Sequence, residues 1–380
     1  MDFAVEQILR ALPEFTEKFE DSASVDGFYQ PVDNLSWTTG FWTGEIWLAY
    51  EYVLESPGRF ERGTAAKLKE AALKQVDSFT ERIENKISVD HHDMGFLYSP
   101  SCVAAHKLVG SEKGRSAALM AADQLLTRFQ EKGEFLQAWG PMGAKENYRL
   151  IIDCLNNLPL LYWASAETRD PKYRLIAEKH ITTAIKVVIR DDYSTWHTFF
   201  FDPETGEPDH GATCQGYKDD SVWARGQAWG VAGLATAYRY TGRTEYIPLF
   251  ERVTAYFLEH LPEDLVPYWD FTFTDGSDEP RDSSAASIAV CGMLEAARYL
   301  PEKEARYYIA VSKRIMKALY DKYAVKDPEE SNGLVLHSTY SKKSEYNTCT
   351  ESGVDECNIW GDYYYMEALT RLSKDWKQYW

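Results

Sequence analysis

Two carboxylates stand out by the company they keep. Asp93 lies in "HHDMGFLY", directly behind His91 and His92 and ahead of a glycine and large apolar side chains; Asp153 lies in "RLIIDCLNNLPLLYW", with apolar residues on both sides. An ionisable group in such a stretch either has a partner or holds its proton more tightly than usual, because burial penalises the charged form. A carboxylic acid kept protonated near neutral pH is what glycan chemistry asks of a general acid. Each residue also has a structural reading. Asp93 precedes a helix start and can cap it; Asp153 can pair with Arg149 four residues earlier, or cap a helix that begins near Pro159.

Other chemistries find less support. His91, His92, His197 and His210 with nearby acids invite a metal site, but adjacent histidines point different ways and no H-x-x-x-H or Cys/His spacing is present, so no metal is expected. No G-x-G-x-x-G, P-loop or G-x-S-x-G occurs, which leaves nucleotide cofactors and a serine nucleophile without support; no cofactor is expected. Subtracting 59 acidic from 41 basic residues gives a net charge of −18, which argues against a nucleic-acid surface. Aromatics make up 14% of the chain, and Trp37, Trp42, Trp139, Trp196, Trp229 and Trp269 fall near proposed loops and helix starts, where flat rings can pack on the C–H faces of sugars. Most such rings belong to a core.

The elements that must position these groups are helices of two kinds. Outer helices with a single apolar stripe are predicted at 1–20, 64–84, 115–131, 172–189, 244–260 and 303–320; Leu68, Ala72, Val76, Phe79 and Ile83 mark the stripe of the second. Between them lie segments apolar all round: "GFWTGEIWLAYEYVL", "GFLYSPSCVAAHKL", "CLNNLPLLYWASAET", "SVWARGQAWGVAGLATAYRY", "SSAASIAVCGMLEAARYL" and "GDYYYMEALTRL". Six alternating hairpins with the second member more buried predict a closed ring of inner helices sheathed by outer ones, an all-α (α/α)6 barrel formed by residues 1–380 as one catalytic domain. An open solenoid is the alternative; it would end in polar caps, yet the last inner segment is as aromatic as the first. In the ring all inner N-termini open at one mouth, and Trp37, Trp42, Asp93, Asp153 and Asp282 gather there. Strand signals are few, the best being "VPYWDFTFTDG" and "GLVLHSTYS".

The first helix is amphipathic and lacks the features of a signal peptide, no apolar run approaches a membrane span, and the six cysteines form no C-x-x-C pair; a cytoplasmic setting is expected. "HHDMGFLY", "IIDCLNNLPLLYW", "WHTFFFD", "CQGYKDDSVWARGQAWG" and "RDSSAAS" together resemble the unsaturated glucuronyl hydrolases, glycoside hydrolase family 88, from Trp37 to about Trp360. The resemblance implies an (α/α)6 barrel and substrates left behind by polysaccharide lyases, disaccharides or short oligosaccharides ending in a 4-deoxy uronate with a C4=C5 double bond. It implies an acid/base role for Asp153, an essential carboxylate at Asp93, and substrate contacts by Trp42, His92, Trp139, His197, Gly211, Thr213, Gln215, Arg225 and Trp229. Arg225 offers a planar fork to the uronate carboxylate.

"HSTYSKKSEY" carries Ser338, Ser341 and Lys343 in an S-x-x-S-x-K pattern similar to one in family members that prefer sulfated glycosaminoglycan disaccharides, which points to chondroitin- or hyaluronan-derived substrates. The competing functions are an unsaturated rhamnogalacturonyl hydrolase, a sugar epimerase on the same fold and a non-catalytic glycan-binding barrel. No nucleic acid, membrane or obligate protein partner is expected.

Overall fold

The alternation read from the sequence sets the architecture. A computed structural model describes all 380 residues. In it α1 (Asp2–Phe15) is followed by α2 (Thr39–Leu54), and α3 (Thr64–Glu84) by α4 (Met94–Tyr98), which runs through a π turn at Ser99–Val103 into α5 (Ala104–Val109). The remaining pairs are α6 (Glu112–Leu126) with α7 (Leu158–Thr168), α8 (Pro171–Val188) with α9 (Ala224–Thr241), α10 (Tyr246–Glu259) with α11 (Ser283–Ala296), and α12 (Glu302–Lys322) with α13 (Ile359–Ser373). The first member of each pair buries one stripe; α3 buries Leu68, Ala72, Val76, Phe79 and Ile83, the stripe its spacing predicts. The second members lie inside, and every residue of α11 is buried.

The inner helices touch in sequence. α2 packs on the π turn, α4 on α7, α7 on α9, α9 on α11, α11 on α13, and α13 returns to α2. That last contact closes the ring, so the architecture is an (α/α)6 barrel and not a solenoid. Neighbouring backbones approach closely where side chains are small: a Cβ on Gly292 of α11 would sit 2.7 Å from Ala232 Cα of α9. The mouth is trimmed by short antiparallel strands. β1 (Phe19–Glu20) pairs with β2 (Pro31–Val32) and β3 (Phe129–Gln130) with β4 (Phe135–Leu136). β5 (Arg149–Ile151), β6 (Thr198–Phe201) and β7 (Pro208–Ala212) form a three-stranded sheet, and β8 (Ser338–Ser341) pairs with β9 (Ser352–Glu356).

Three local expectations are corrected. The second inner helix is not a uniform α-helix, because Pro100 has no N–H to donate and the chain widens into a π turn there. The helix expected to run to residue 131 stops at Leu126; the buried Arg128 turns inward and donates to the carbonyls of Gln137 and Gly140 and to Asp90. "VPYWDFTFTDG" forms only isolated bridges, at Asp270 to Trp223 and Tyr268 to Arg281, because the stretch wraps the end of α9 rather than joining a sheet. No helix is long and apolar enough to cross a membrane.

A second group of carboxyls sits beneath the mouth. Glu20, Glu45 and Asp362 are buried near one another without a cationic partner, and burial raises the proton affinity of all three, that of Asp362 to about 7 against the hydrogen bonds it accepts from Leu334, Val335 and Tyr29. Asp362 thereby pins the segment that leads into β8. Because the folded state binds more protons than the unfolded one between the ordinary carboxyl range and these raised values, this group stabilises the fold at low pH, and the contribution is lost as pH rises through the raised values, about 7 for Asp362. Glu45→Gln keeps the shape without the titration. Its stability relative to wild type should therefore improve with rising pH, by up to about 1.4 kcal/mol per pH unit. Urea melts at a series of pH values check this, and a difference that does not vary with pH refutes it.

Candidate active site

The cavity at the mouth has a volume of about 720 Å³, within the range of small-ligand sites, and is lined among others by Trp37, Asp93, Trp139, Asp153, His197 and Gln215. Asp93 stands at the start of α4 and Asp153 in the 3-10 turn (Ile152–Asn156) that leads into α7, where Pro159 fixes the helix start. These two segments are locked together by Asn157 and Gly95. Asn157 Oδ1 accepts from Phe96 N at 2.8 Å, and a Cβ on Gly95 would fall 2.4 Å from Asn157 Cα, so only glycine lets the two backbones approach this closely. Folding the second hairpin against the third thus brings the two acids to one place.

His92 lies between them. Its Nε2 is 3.3 Å from Asp93 Oδ1 and 3.5 Å from Asp153 Oδ1, although neither nitrogen of the ring makes an aligned hydrogen bond. Burial pushes its pKa down to about 4, so the ring is neutral at pH 7. Burial also works against charge on Asp93, but His92, His91 and the Asn157 amide outweigh it and hold Asp93 below the usual carboxylate range. Asp153 goes the other way: burial, then the neighbouring Asp93, raise it well above that range against the pull of Arg225. Two similar acids are therefore driven apart, one below and one well above the ordinary carboxylate range, the division that acid catalysis uses. Asp153 keeps a side-chain exposure of 15%, towards the cavity.

His197 is held differently. Its Nδ1 receives the backbone N–H of Cys214 at 3.1 Å and of Gln215 at 3.3 Å, with Thr213 Oγ1 at 3.0 Å. A nitrogen that accepts two backbone donors carries the lone pair, so the proton is on Nε2. Burial lowers its pKa to about 3 and keeps the ring neutral, its centre 4.3 Å from that of Trp223 with the planes tilted by 38°. The result is a fixed N–H donor.

The structural readings of the two acids are thereby tested. Asp93 makes no side-chain cap bond at α4. Arg149 does not pair with Asp153; its guanidinium lies 4.9 Å from the Trp139 ring centre and 5.1 Å from that of Phe200. His91 and His197 line the cavity, whereas His92 is fully buried between the two acids and is not part of the wall, which corrects the expectation that it contacts substrate; His210 stands apart on β7, exposed and stacked on Phe200. One imidazole and two carboxylates, of His92, Asp93 and Asp153, do converge within 4.8 Å, a spacing that could hold a cation.

The other residues named from the sequence divide into wall and support. Trp139, exposed by 38%, and Gln215 line the cavity, the latter donating to Tyr340 O at 3.0 Å. Thr213 stands behind His197, and Gly211 faces Trp196, whose ring lies 2.2 Å from where its Cβ would be. Trp42 and Trp229 are core residues and not wall: Trp42 Nε1 donates to Phe15 O, and Trp229 packs on Phe96 and Tyr364. Arg225 is also buried, and its fork is occupied by Asp282 and the carbonyls of Thr339 and Tyr340, which corrects the expectation that it is free to take an anion. Ser338 is buried against Ser283 at 2.7 Å, so it does not stand beside Ser341 and Lys343 at the rim. Ser341 lines the cavity, and Lys343 Nζ donates to Asn347 O. The wall residues Tyr340, Thr348, Cys349 and Thr350 carried no sequence signal beyond their place in a polar loop before the last inner helix.

Comparison with known proteins agrees with this geometry. The sequence profile of Glycosyl Hydrolase Family 88 matches residues 7–375. The chain is 49% identical, over all of its own length and 92% of the other, to an unsaturated chondroitin disaccharide hydrolase of Streptococcus pneumoniae. It is 41% identical, over 98% of its length and 95% of the other, to an unsaturated glucuronyl hydrolase of Bacillus sp.. The crystal structure of unsaturated glucuronyl hydrolase from Streptococcus agalactiae superposes with a TM-score of 0.91 at 48% identity, covering 100% of this chain and 93% of that one. A variant of that protein, with a TM-score of 0.83, 44% identity and coverage of 100% and 93%, was crystallised with dGlcA-GalNAc6S.

Because Asp93 makes no cap bond but is buried and held ionised by its neighbours, the stability deficit of Asp93→Asn should be present at neutral pH and shrink as pH falls through the usual carboxylate range. Chemical denaturation at a series of pH values checks this; a deficit of about 1 to 2 kcal/mol that does not vary with pH, the size of a lost cap, would return Asp93 to a capping role.

Proposed function

The chain belongs to glycosyl hydrolase family 88, and on that premise we propose that it removes the 4,5-unsaturated uronic acid from the non-reducing end of lyase-generated glycosaminoglycan oligosaccharides. What carries the reading is the placement of Asp153, whose proton affinity burial raises well above the usual carboxylate range, within 3.5 Å of His92 and beside Asp93, which is held below that range, at a cavity large enough for a disaccharide. The C4=C5 double bond of such a sugar is a vinyl ether, electron-rich at C4. Asp153 gives its proton to C4; the cation that results is shared between C5 and the ring oxygen. Water then adds at C5 and yields its proton to the Asp153 carboxylate. The hemiketal opens, and the rearranged product releases the leaving sugar without attack at C1, so the carboxylate spacing that distinguishes retaining from inverting enzymes does not apply.

In this scheme Asp93 binds ring hydroxyls and places negative charge near the developing cation. His197 donates from Nε2 to the sugar. Trp139 offers its face to a sugar ring. Arg225, with its fork engaged, supports β8 and moderates the charge at Asp153 instead of touching substrate. Ser341 and Lys343 favour a sulfate on the amino sugar, and no metal takes part. Six free cysteines, with no disulfide, fit a cytoplasmic setting.

Mixing the protein with lyase-digested chondroitin or hyaluronan should abolish the ultraviolet absorbance of the conjugated enoate; persistence of the band means a different reaction. Asp153→Asn should lower kcat by at least about 100-fold with the fold intact, and near-normal turnover would make Asp153 structural. Activity should survive exhaustive chelation, whereas sensitivity to it would assign a cation to His92, Asp93 and Asp153. Lys343→Ala should lose kcat/KM selectively on sulfated disaccharides; an equal effect on both substrates removes the sulfate contact.

A further inference from the structure

One cation at the cavity is neither paired nor explained by the reaction. Arg149 forms no ion pair, and none of its three guanidinium nitrogens donates to a protein acceptor; Nε is buried without a partner. The strand beneath it says which way it faces. Successive side chains of a strand alternate between faces. Leu150 is fully buried, whereas Ile151 lines the cavity, so Arg149 shares the cavity face with Ile151, one step further out. The sheet register continues that outer row, Arg149 opposite Phe200 and Phe200 opposite His210. The contacts agree: the guanidinium lies 5.1 Å from the Phe200 ring centre, and Phe200 and His210 stack at 4.9 Å with 8° between their planes. On the inner side Arg149 lies over Trp139, which is itself on the cavity wall. Trp139, Arg149, Phe200 and His210 thus form a ledge of flat faces with one unclaimed guanidinium, running from the cavity to the exposed edge of the sheet.

We propose that this ledge is a subsite for a sugar beyond the leaving residue, and that Arg149 binds the carboxylate of a uronate at that position. The proposal rests on the reading of the reaction given above and extends it to longer chains. Aromatic planes suit the C–H faces of sugars, and a planar guanidinium held on two rings is preorganised for a two-point hydrogen bond to a carboxylate. In a chain of net charge −18, an arginine left without an acid partner is placed to receive an anion from outside. Glycosaminoglycans repeat a uronate every second sugar, so an unsaturated tetrasaccharide presents its internal carboxylate two units beyond the terminal one. A disaccharide can meet Trp139 at the cavity end of the ledge but carries no second uronate to present to Arg149.

The test compares kcat/KM on the unsaturated hyaluronan tetrasaccharide and disaccharide, whose only anions are carboxylates. In Arg149→Met, which keeps the apolar stem, the tetrasaccharide to disaccharide ratio should fall about 10- to 100-fold, the loss expected for a charged hydrogen bond. Arg149→Lys should recover part of it, and the wild-type preference should weaken with salt. An unchanged ratio, whether both substrates suffer or neither does, overturns the subsite. So does a loss confined to sulfated disaccharides, which would put the anion on the adjacent sugar. Should Arg149→Met not fold, Phe200→Leu reads the same ratio through the ledge's ring. If the wild type turns over neither substrate, the proposed reaction fails, and calorimetric binding of the tetrasaccharide then decides the ledge: a tenfold weaker Kd in the variant supports it, and equal binding ends it.

Discussion

Two carboxyl groups share one imidazole edge in an apolar pocket, and they cannot both be ionised at small cost. The rest of the site follows from that conflict. His91, His92 and Asn157 gather on Asp93 and settle the negative charge there. Asp153 is left with the higher proton affinity, one oxygen facing His92 without a hydrogen bond and the carboxyl open to the cavity. The geometry needs two backbones in contact, which Gly95 permits and Asn157 enforces. The contact in turn needs α4 and α7 as neighbours in a ring, which the alternation of buried and striped helices provides.

Much of this was legible in the chain. The six helix pairs follow from apolar periodicity, since burial on all sides and burial on one side leave different patterns. Asp153 announced itself by sitting between apolar neighbours, and its raised proton affinity is the consequence its surroundings impose. What the sequence concealed depends on contacts between distant segments. Trp42 and Trp229 look like candidates for a sugar platform and prove to be packing residues, because aromatic type says nothing about which way a ring turns. Arg225 has the right chemistry for an anion, yet Asp282 and two carbonyls from a strand more than a hundred residues later reach it first. The three-stranded sheet at the mouth is built from segments of three to five residues, too short for a period of two to register.

The loops divide their work with the helices. Helix starts deliver Asp93 and Asp153, whereas loops and short strands deliver His197, Gln215, Tyr340 and Ser341. The loop contribution is stiffened by side-chain to backbone bonds rather than by regular structure. Asn347 Nδ2 reaches Gly216 O, Ser344 reaches Tyr217 O, and Gln215 reaches Tyr340 O, so the segments around residues 215 and 345 behave as one wall. That arrangement lets loop sequence vary the leaving-sugar side while the acid pair, mounted on the barrel, stays where the chemistry needs it.

The seam between α13 and α2 has a consequence for how the protein comes into being. Trp37, near the start of the chain, stacks on Trp360 at 5.3 Å and donates from Nε1 to Tyr340 at 3.0 Å, so one wall of the cavity is sewn from opposite ends of the polypeptide. During synthesis the first inner helix emerges with its apolar flank exposed and waits for a partner about three hundred residues behind it. Contacts so distant in sequence form late and slowly. A nascent chain that has not yet delivered α13 is therefore an open ring with a sticky edge, and this wall of the cavity stays incomplete until α13 has left the ribosome.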